Sequence, residues 1–425
     1  MQVAIILIIF VAGYFAIAFE HVIGLNKAAS ALITGVLCWV VYIMPNTAPE
    51  QASGLLLGHL GDIASIVFFL LGAMTIVSLI DSHNGFDIIT RLITTDSKRK
   101  LFFTITLITF FLSALLDNLT TAIVMVSLCQ KLLPERHDRL WFTGMIVIAA
   151  NAGGAWSPLG DVSTTMLWIG GQITPVAIIS SLILPAIMVC ILPALVIAQR
   201  FKHSHVKRPP VSDCTPEEQR DGKLILFCGT GFLIFVPIFK TITHLPPFMG
   251  MMLALGMMWI ITNTVHKKKD SEYSERFTVT TALQKIDTPS ILFFLGILLA
   301  VSALQAMGIL SHFASYLTVV LKNDFLIGLA LGLLSSIIDN VPLVAAAQAM
   351  YSLQSFAPDH HFWQFLTLTT GTGGSAIIIG SAAGVAVMGI EKINFIWYLK
   401  KISGPALLGL LGGMVVFLIQ FYLAG

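Results

Sequence analysis

Apolar positions run along this chain in long blocks rather than at helical or strand spacing. Blocks at 3–19, 25–44, 64–80, 175–198, 224–239, 248–262, 290–307 and 404–423 carry almost no charge. A spanning helix needs roughly 17–25 such residues, so each block predicts one membrane crossing. Two further stretches, 140–171 and 362–390, are long enough to cross but are interrupted by glycine-rich runs. Two others, 101–133 and 325–354, are each divided by the dipeptide Asp-Asn. Their arms are too short to cross singly: residues 101–116 give about 24 Å of helix and 122–133 about 18 Å. We read each as a re-entrant hairpin that dips to mid-membrane and returns, a backbone path tolerated only inside protein or facing water. A short amphipathic helix is expected at 85–95, lying at the interface. The segment 202–223, rich in proline and charge, reads as a linker.

Charge supports this layout. Counting the broken stretches as one crossing each and the hairpins as none gives about ten crossings. One set of loops then holds 22 of the 24 Lys and Arg residues, leaving Lys240 and Lys322 on the other side. The positive-inside rule places the basic loops in the cytoplasm and both termini outside. Splitting either hairpin into two spans would destroy the bias. The block at 3–19 lacks a basic leader and exceeds a signal peptide's apolar length, so it is kept as a span.

Composition narrows the function classes. The 425 residues are 56% hydrophobic and 11% charged, against about 25% charged in soluble domains. A soluble enzyme is excluded, and a net charge of +2 offers no basic face for nucleic acid. The five cysteines are scattered without CxxC pairing and read as small core residues. The chain is therefore expected to be an all-α polytopic membrane protein whose only constant surroundings are lipid.

The two halves echo each other. Phe69-Leu-Leu-Gly72 answers Phe293-Phe-Leu-Gly296, Gly85 answers Gly308, Asp117-Asn118 answers Asp339-Asn340, and Gly153-Gly154 answers Gly373-Gly374. An odd number of crossings separates the copies, so they are inverted. Inverted repeats with broken helices are the architecture of secondary transporters. The expected organisation is 1–63, two scaffold spans; 64–201, the first repeat; 202–289, linker and two connecting spans; and 290–425, the second repeat.

Three acids fall inside apolar stretches: Asp117, Asp161 and Asp339. Intramembrane carboxylates are costly and usually mark ion or proton pathways. Each can also cap the half-helix that follows, as can Asn118 and Asn340. The runs Asn151-Ala-Gly-Gly-Ala-Trp-Ser-Pro-Leu-Gly-Asp161 and Thr370-Gly-Thr-Gly-Gly-Ser375 are expected to unwind and free backbone carbonyls, with Asn151, Ser157, Thr372 and Ser375 adding neutral oxygens. Ser335, Thr121 and Thr164 are weaker candidates. Hard cations bind oxygen, so this set outlines a sodium site. Burial favours a protonated carboxyl and a neighbouring cation favours the ionised one. Proton and sodium would therefore compete for a tip aspartate. The histidines lie mostly in loops and are not expected to act as relays. No cofactor is implied.

The paired Asp-Asn tips, the run NAGGAWSPLGD with its following Ser/Thr residues, and GTGGS resemble the NhaD-type sodium/proton antiporters of the ion transporter superfamily. The resemblance covers essentially the whole chain. It implies a scaffold plus a transport domain, a homodimer, and exchange of Na⁺ or Li⁺ for H⁺ across a bacterial inner membrane. Related dicarboxylate carriers have Ser-Asn-Thr at the tips. Asp117 and Asp339 at the serine position favour proton competition over anion symport. The second tip, Asp-Asn-Val-Pro, lacks the threonines of the first, so the two sites are expected to be unequal. A sodium-coupled carboxylate or arsenite-type carrier of the same fold is the alternative. An intramembrane aspartyl protease would need Gly-x-Gly-Asp, whereas Asp161 follows Pro158-Leu159-Gly160, and a channel would not need proton exchange.

Overall fold

The computed structural model describes residues 2–18, 20–44, 49–86, 95–201, 216–267 and 277–424, and the regular structure among them is entirely helical. Most of the predicted linker, together with residues 87–94 of the expected interfacial helix, lies outside the described residues.

Besides a single turn at Glu20–Ile23, the chain order is α1 (Gln2–Ala18), α2 (Lys27–Ile43), α3 (Pro49–Ser82), α4 (Lys98–Ser113), α5 (Asn118–Leu132), α6 (Arg136–Ala155), α7 (Val162–Ile169), α8 (Pro175–Ala198), α9 (Pro216–Thr243), α10 (Pro247–His266), α11 (Val279–Lys285), α12 (Thr288–Ala306), α13 (Ile309–Leu321), α14 (Asp324–Leu334), α15 (Asn340–Met350), α16 (His361–Gly373), α17 (Ala382–Glu391), α18 (Phe395–Lys401) and α19 (Ser403–Ala424). Among the described residues, six helices (α3, α8, α9, α10, α12 and α19) are long and apolar enough to cross a membrane, and α1 and α2 are shorter apolar helices. The hairpins are α4–α5 and α14–α15; the discontinuous helices are α6–α7 and α16–α17. The molecule is a polytopic helical transporter fold built on inverted repeats.

Two differences from the sequence reading matter. Helix α3 begins at Pro49 rather than near residue 64, so His59 and Asp62 sit inside a helix. After Gly308, whose φ of 71° suits glycine, α13 is an amphipathic helix bent 118° from α14. The apolar pattern had left that segment unassigned.

Close approach holds the helices together. Helix α2 packs along α12, where a Cβ on Gly35 would meet the Gly296 carbonyl and one on Gly296 would meet Ala31. Trp39 Nε1 donates to Leu299 O at 2.9 Å across the same seam. Glycine-mediated contact of this kind is what lipid-embedded helices use in place of a hydrophobic drive. Helix α8 packs on α19 similarly, with Gly409 and Gly413 against Val189 and Pro185. The return arm of each hairpin lies on the far half of the opposite broken helix: α5 on α17, and α15 on α7. That crossing brings the two Asp-Asn tips to the two helix breaks.

Candidate functional site

The glycine clusters behave differently from expectation. Asn151, Gly153 and Gly154 remain inside α6, and Thr370–Gly373 remain inside α16; the unwound segments are 156–161 and 374–381. The glycines serve contact instead. A Cβ on Gly153 would strike the Phe110 backbone carbonyl of the first hairpin, and one on Gly373 would strike the Gly332 carbonyl of the second. Pro158, which cannot continue a helix, sits in the first break.

Both tips begin a helix. Asp117 caps α5, its carboxylate accepting from Thr120 N at 2.8 Å and Thr120 Oγ1 at 2.6 Å. Asp339 occupies the same position before α15, but its side chain makes no capping hydrogen bond. The cause is in the sequence. Thr120 is the third residue of α5, and its counterpart in α15 is Pro342, which has neither an N–H nor a hydroxyl. The two tips are unequal, as their sequences implied.

Two buried junctions join hairpins to breaks. At one, Asn118 Nδ2 donates to Asn151 Oδ1 at 3.0 Å, and Asn151 Nδ2 donates to Ser375 Oγ at 2.9 Å and Ser381 Oγ at 3.0 Å. At the other, Asn340 Nδ2 donates to Asp161 Oδ2 at 2.6 Å, with Ser163 Oγ on the same oxygen at 2.9 Å. Asp161 also caps α7. In the repeat, Asp161 matches Ser381 and Asn151 matches Gly371. The carboxylate of Asp161 reaches the tip asparagine directly, and Gly371 leaves it room, since a Cβ there would lie 3.3 Å from Asp161 Oδ2. Short Ser381 reaches its tip asparagine only through Asn151.

The remaining candidates divide. Ser157 Oγ donates to Ala114 O at 2.5 Å and Ser335 Oγ to Thr370 O at 2.7 Å, each pinning a hairpin to a broken helix. Thr372 Oγ1 bonds its own helix at Leu368 O, 2.6 Å. The buried hydroxyls of Thr121 and Thr164 have no hydrogen-bond partner among the described residues, which leaves their oxygens available to a ligand.

Asp117 and Asp339 line separate cavities. Asp117 faces one of about 20 Å³ with Leu159, Val162 and Thr165. Asp339 faces one of about 50 Å³ with Ser381, Tyr14, Glu20 and Lys27. A larger vestibule of about 500 Å³ opens between α3 and α12 on one side and α7 and α15 on the other. Its polar lining includes His59, Asp62, Gln172, Gln305 and Gln348, and no Lys or Arg. The Gln172 and Gln348 amides meet at 2.8 Å. Lys240 Nζ donates to Trp168 O at 2.9 Å nearby. Sequence reasoning missed Asp62, Lys27 and the glutamines. A hydropathy block does not say where it ends or which face meets a neighbour. His266, just past the apolar block 248–262, lies not in a loop but at the end of α10, and its Nε2 lies 2.8 Å from His83 Nε2.

Ion pairs fasten the base of this assembly. Lys98, at the start of the first hairpin, bonds Asp138 at 2.6 Å and Glu135 at 3.0 Å. Asp138's hydrogen bond holds the Lys98 ammonium above its usual pKa. Burial pushes the Asp138 carboxyl up, but the Lys98 hydrogen bond and charge outweigh it and leave it lowered. Arg139 Nε bonds Glu391, which is 4% exposed, at 3.1 Å, tying α6 to the end of α17.

Known proteins share this framework. A family model described as "Citrate transporter" matches residues 5–371. Sodium/proton antiporter 2 of Arabidopsis thaliana is 44% identical over 97% of this chain and 98% of its own length. Sodium/proton antiporter 1 of the same plant is 45% identical over 97% of this chain and 71% of its own. The Na(+)/H(+) antiporter NhaD of Vibrio cholerae is 30% identical over 93% and 87%. Among solved structures, the Alcanivorax borkumensis YdaH transporter aligns with a TM-score of 0.63 at 13% identity, covering 93% of this chain and 98% of that one. That likeness concerns the fold. The chain belongs to the citrate-transporter family and, within it, to the NhaD-type sodium/proton antiporters.

Proposed function

We propose that this protein exchanges Na⁺, and Li⁺, for H⁺ by alternating access, with cation and proton competing for Asp117, Asp161 and Asp339. The observation that carries the reading is the pair of crossed junctions, each joining a tip asparagine to a helix break beside carboxylates and neutral oxygens. Carboxylate, carboxamide and hydroxyl oxygens suit a hard cation. The names of the relatives support the same cargo. Asn118, Asn151, Ser375, Asn340, Thr121 and Thr164 complete the ion's surroundings, while Ser157, Ser335 and Thr372 hold the backbone around it. Residues 1–63 serve as two scaffold spans and 202–289 as a linker with two connecting spans; 64–201 and 290–425 are the two repeats. The protein works as a homodimer in a bacterial inner membrane, with both termini outside.

The test uses everted membrane vesicles carrying a respiration-driven pH gradient. Asp117→Asn keeps a good helix cap and Asp339→Asn loses none, since that side chain makes no capping bond; both remove the charge, and each abolishes collapse of the gradient by added Na⁺ or Li⁺. Full activity in both variants would sink the assignment.

A second reading, a sodium-coupled carboxylate carrier, draws on the family's description. The vestibule argues against it, because its described lining offers an anion Asp62 and amides but no Lys or Arg. Counterflow of labelled citrate in proteoliposomes separates the two: efficient counterflow would favour the carrier.

A further inference from the structure

At the outer ends of the second hairpin and second broken helix, three side chains of metal-binding type converge away from the junctions described above. Asp324 opens α14, His360 caps α16 and His361 begins it. Each offers one ligand atom, and these atoms all lie within 4.8 Å of one another. His361 Nε2 is 3.5 Å from Asp324 Oδ2. All three residues are half-buried.

The surroundings hold the three in place. Asn323 caps α14 through Phe325 N at 2.8 Å, which fixes the turn carrying Asp324. The His361 ring packs on Phe325 at 5.0 Å and Phe421 at 4.7 Å, and on the His360 ring at 4.0 Å. The neighbouring acid, Asp359, is committed elsewhere, accepting from Thr174 N at 2.6 Å and Thr174 Oγ1 at 2.9 Å. That contact anchors the loop from which His360 projects. The lone pair of His360 Nδ1 now accepts from Phe362 N at 3.2 Å, a long bond that ligation to a metal would replace.

We propose that Asp324, His360 and His361 form a binding site for a divalent d-block cation of the zinc type, completed by water. Two imidazoles and one carboxylate make a borderline-soft set that suits Zn²⁺ and its neighbours and discriminates against alkali ions, which prefer oxygen alone. Bringing ligand atoms from a 4.8 Å spread onto a metal with bonds of about 2.0–2.2 Å needs only side-chain rotation. The ion joins the base of α14 to the start of α16. The inner ends of these helices already meet where Ser335 Oγ donates to Thr370 O at 2.7 Å. It is a staple between two transport elements and is not the cargo.

Calorimetric titration of the full-length detergent-solubilised protein with Zn²⁺ is expected to show one saturable site per chain. Outer-shell partners of a metal alone are worth about 10–100-fold in affinity. Asp324→Asn, His360→Ala and His361→Ala are therefore each expected to weaken binding by at least about tenfold. His312→Ala, on exposed α13, is expected to leave it unchanged. Zn²⁺ raises the unfolding midpoint of the wild type and not of His361→Ala. Co²⁺ titration of the wild type, read by its visible d–d absorption, needs no variant and reports tetrahedral nitrogen and oxygen ligation directly. Absence of saturable Zn²⁺ binding, an octahedral aquo-type Co²⁺ spectrum, or binding retained unchanged in all three variants overturns the proposal.

Discussion

At the scale of single residues, the difference between the two hairpin tips comes down to Thr120 and Pro342. The first tip's carboxylate is held by the N–H and hydroxyl of one threonine; the second has proline there and no capping bond. On our reading, Asp339 is the carboxylate freer to exchange a proton for a cation. Pro342→Thr would return both donors to the second tip. A hydrogen bond to a charged group is worth about 1.5–3 kcal/mol. If the cation must displace it, the KM for Na⁺ rises about tenfold or more, as measured by Na⁺-dependent gradient collapse in vesicles. An unchanged KM would mean that Asp339 does not meet the cation. Asn151 offers a second test. It donates to two serines and accepts from Asn118, all buried. Asn151→Ala leaves those groups unsatisfied, at about 1–3 kcal/mol, and should lower the melting temperature as well as transport. The tip difference was legible in the sequence, but the role of Asn151 was not. The sequence marked Asn151 as an oxygen donor, but its partners lie 33, 224 and 230 residues away.

Whole elements were more legible. Arms of 12–16 apolar residues are too short to span, and the Asp-Asn at their junction cannot rest in lipid, so chain length and polarity together give a hairpin. The glycine runs were legible as special and illegible as to why. Glycine serves an unwound segment and a tight helix contact equally, and only the partner's position decides. Here the partner of Gly153 is the Phe110 carbonyl. Gly153→Ala must therefore force α6 away from the first hairpin, and overpacking of this kind costs about 1–3 kcal/mol or more. The hairpin's base depends on charge. Asp138 is held below the ordinary carboxylate range by Lys98. Its contribution is therefore present above the unfolded value of about 3.9 and is lost as pH falls through the lower folded one. Lys98→Met should lower the melting temperature at neutral pH, with the gap to wild type closing on acidification below that range. A gap that is constant with pH would mean that Lys98 acts through packing of its stem. Glu391→Gln removes the charge that Arg139 faces but leaves its bonds to Leu133 O and Pro134 O. It is expected to lower the melting temperature, at a cost below the ~3–5 kcal/mol of a stranded buried charge.

For the whole molecule, the sidedness we propose rests on the 22 of 24 basic residues gathered on one set of loops. It assigns the cavities to opposite faces. Lys27, from a basic loop, lines the cavity that reaches Asp339. The vestibule is walled instead by the ends of α7 and α15, at Gly170, Gln172 and Gln348, which the charge bias assigns to the opposite face. The vestibule could not be read from the sequence because its walls, α3 and α12 against α7 and α15, meet only after the repeats cross. Alternating access then makes a joint prediction about two positions. In a background with Cys214 of the linker and the half-buried Cys228 both replaced by serine, the remaining native cysteines, Cys38, Cys129 and Cys190, are buried. Gln305→Cys in the vestibule should react with a membrane-impermeant maleimide added outside. Ile17→Cys, beside Asp339, should react only in everted vesicles. If one carrier motion serves both cavities, Na⁺ must shift the two rates in opposite directions, because opening one access path closes the other. Equal labelling of both cysteines from one face would overturn the assigned topology. Rates that rise together would point instead to a path open at both ends, which is a channel.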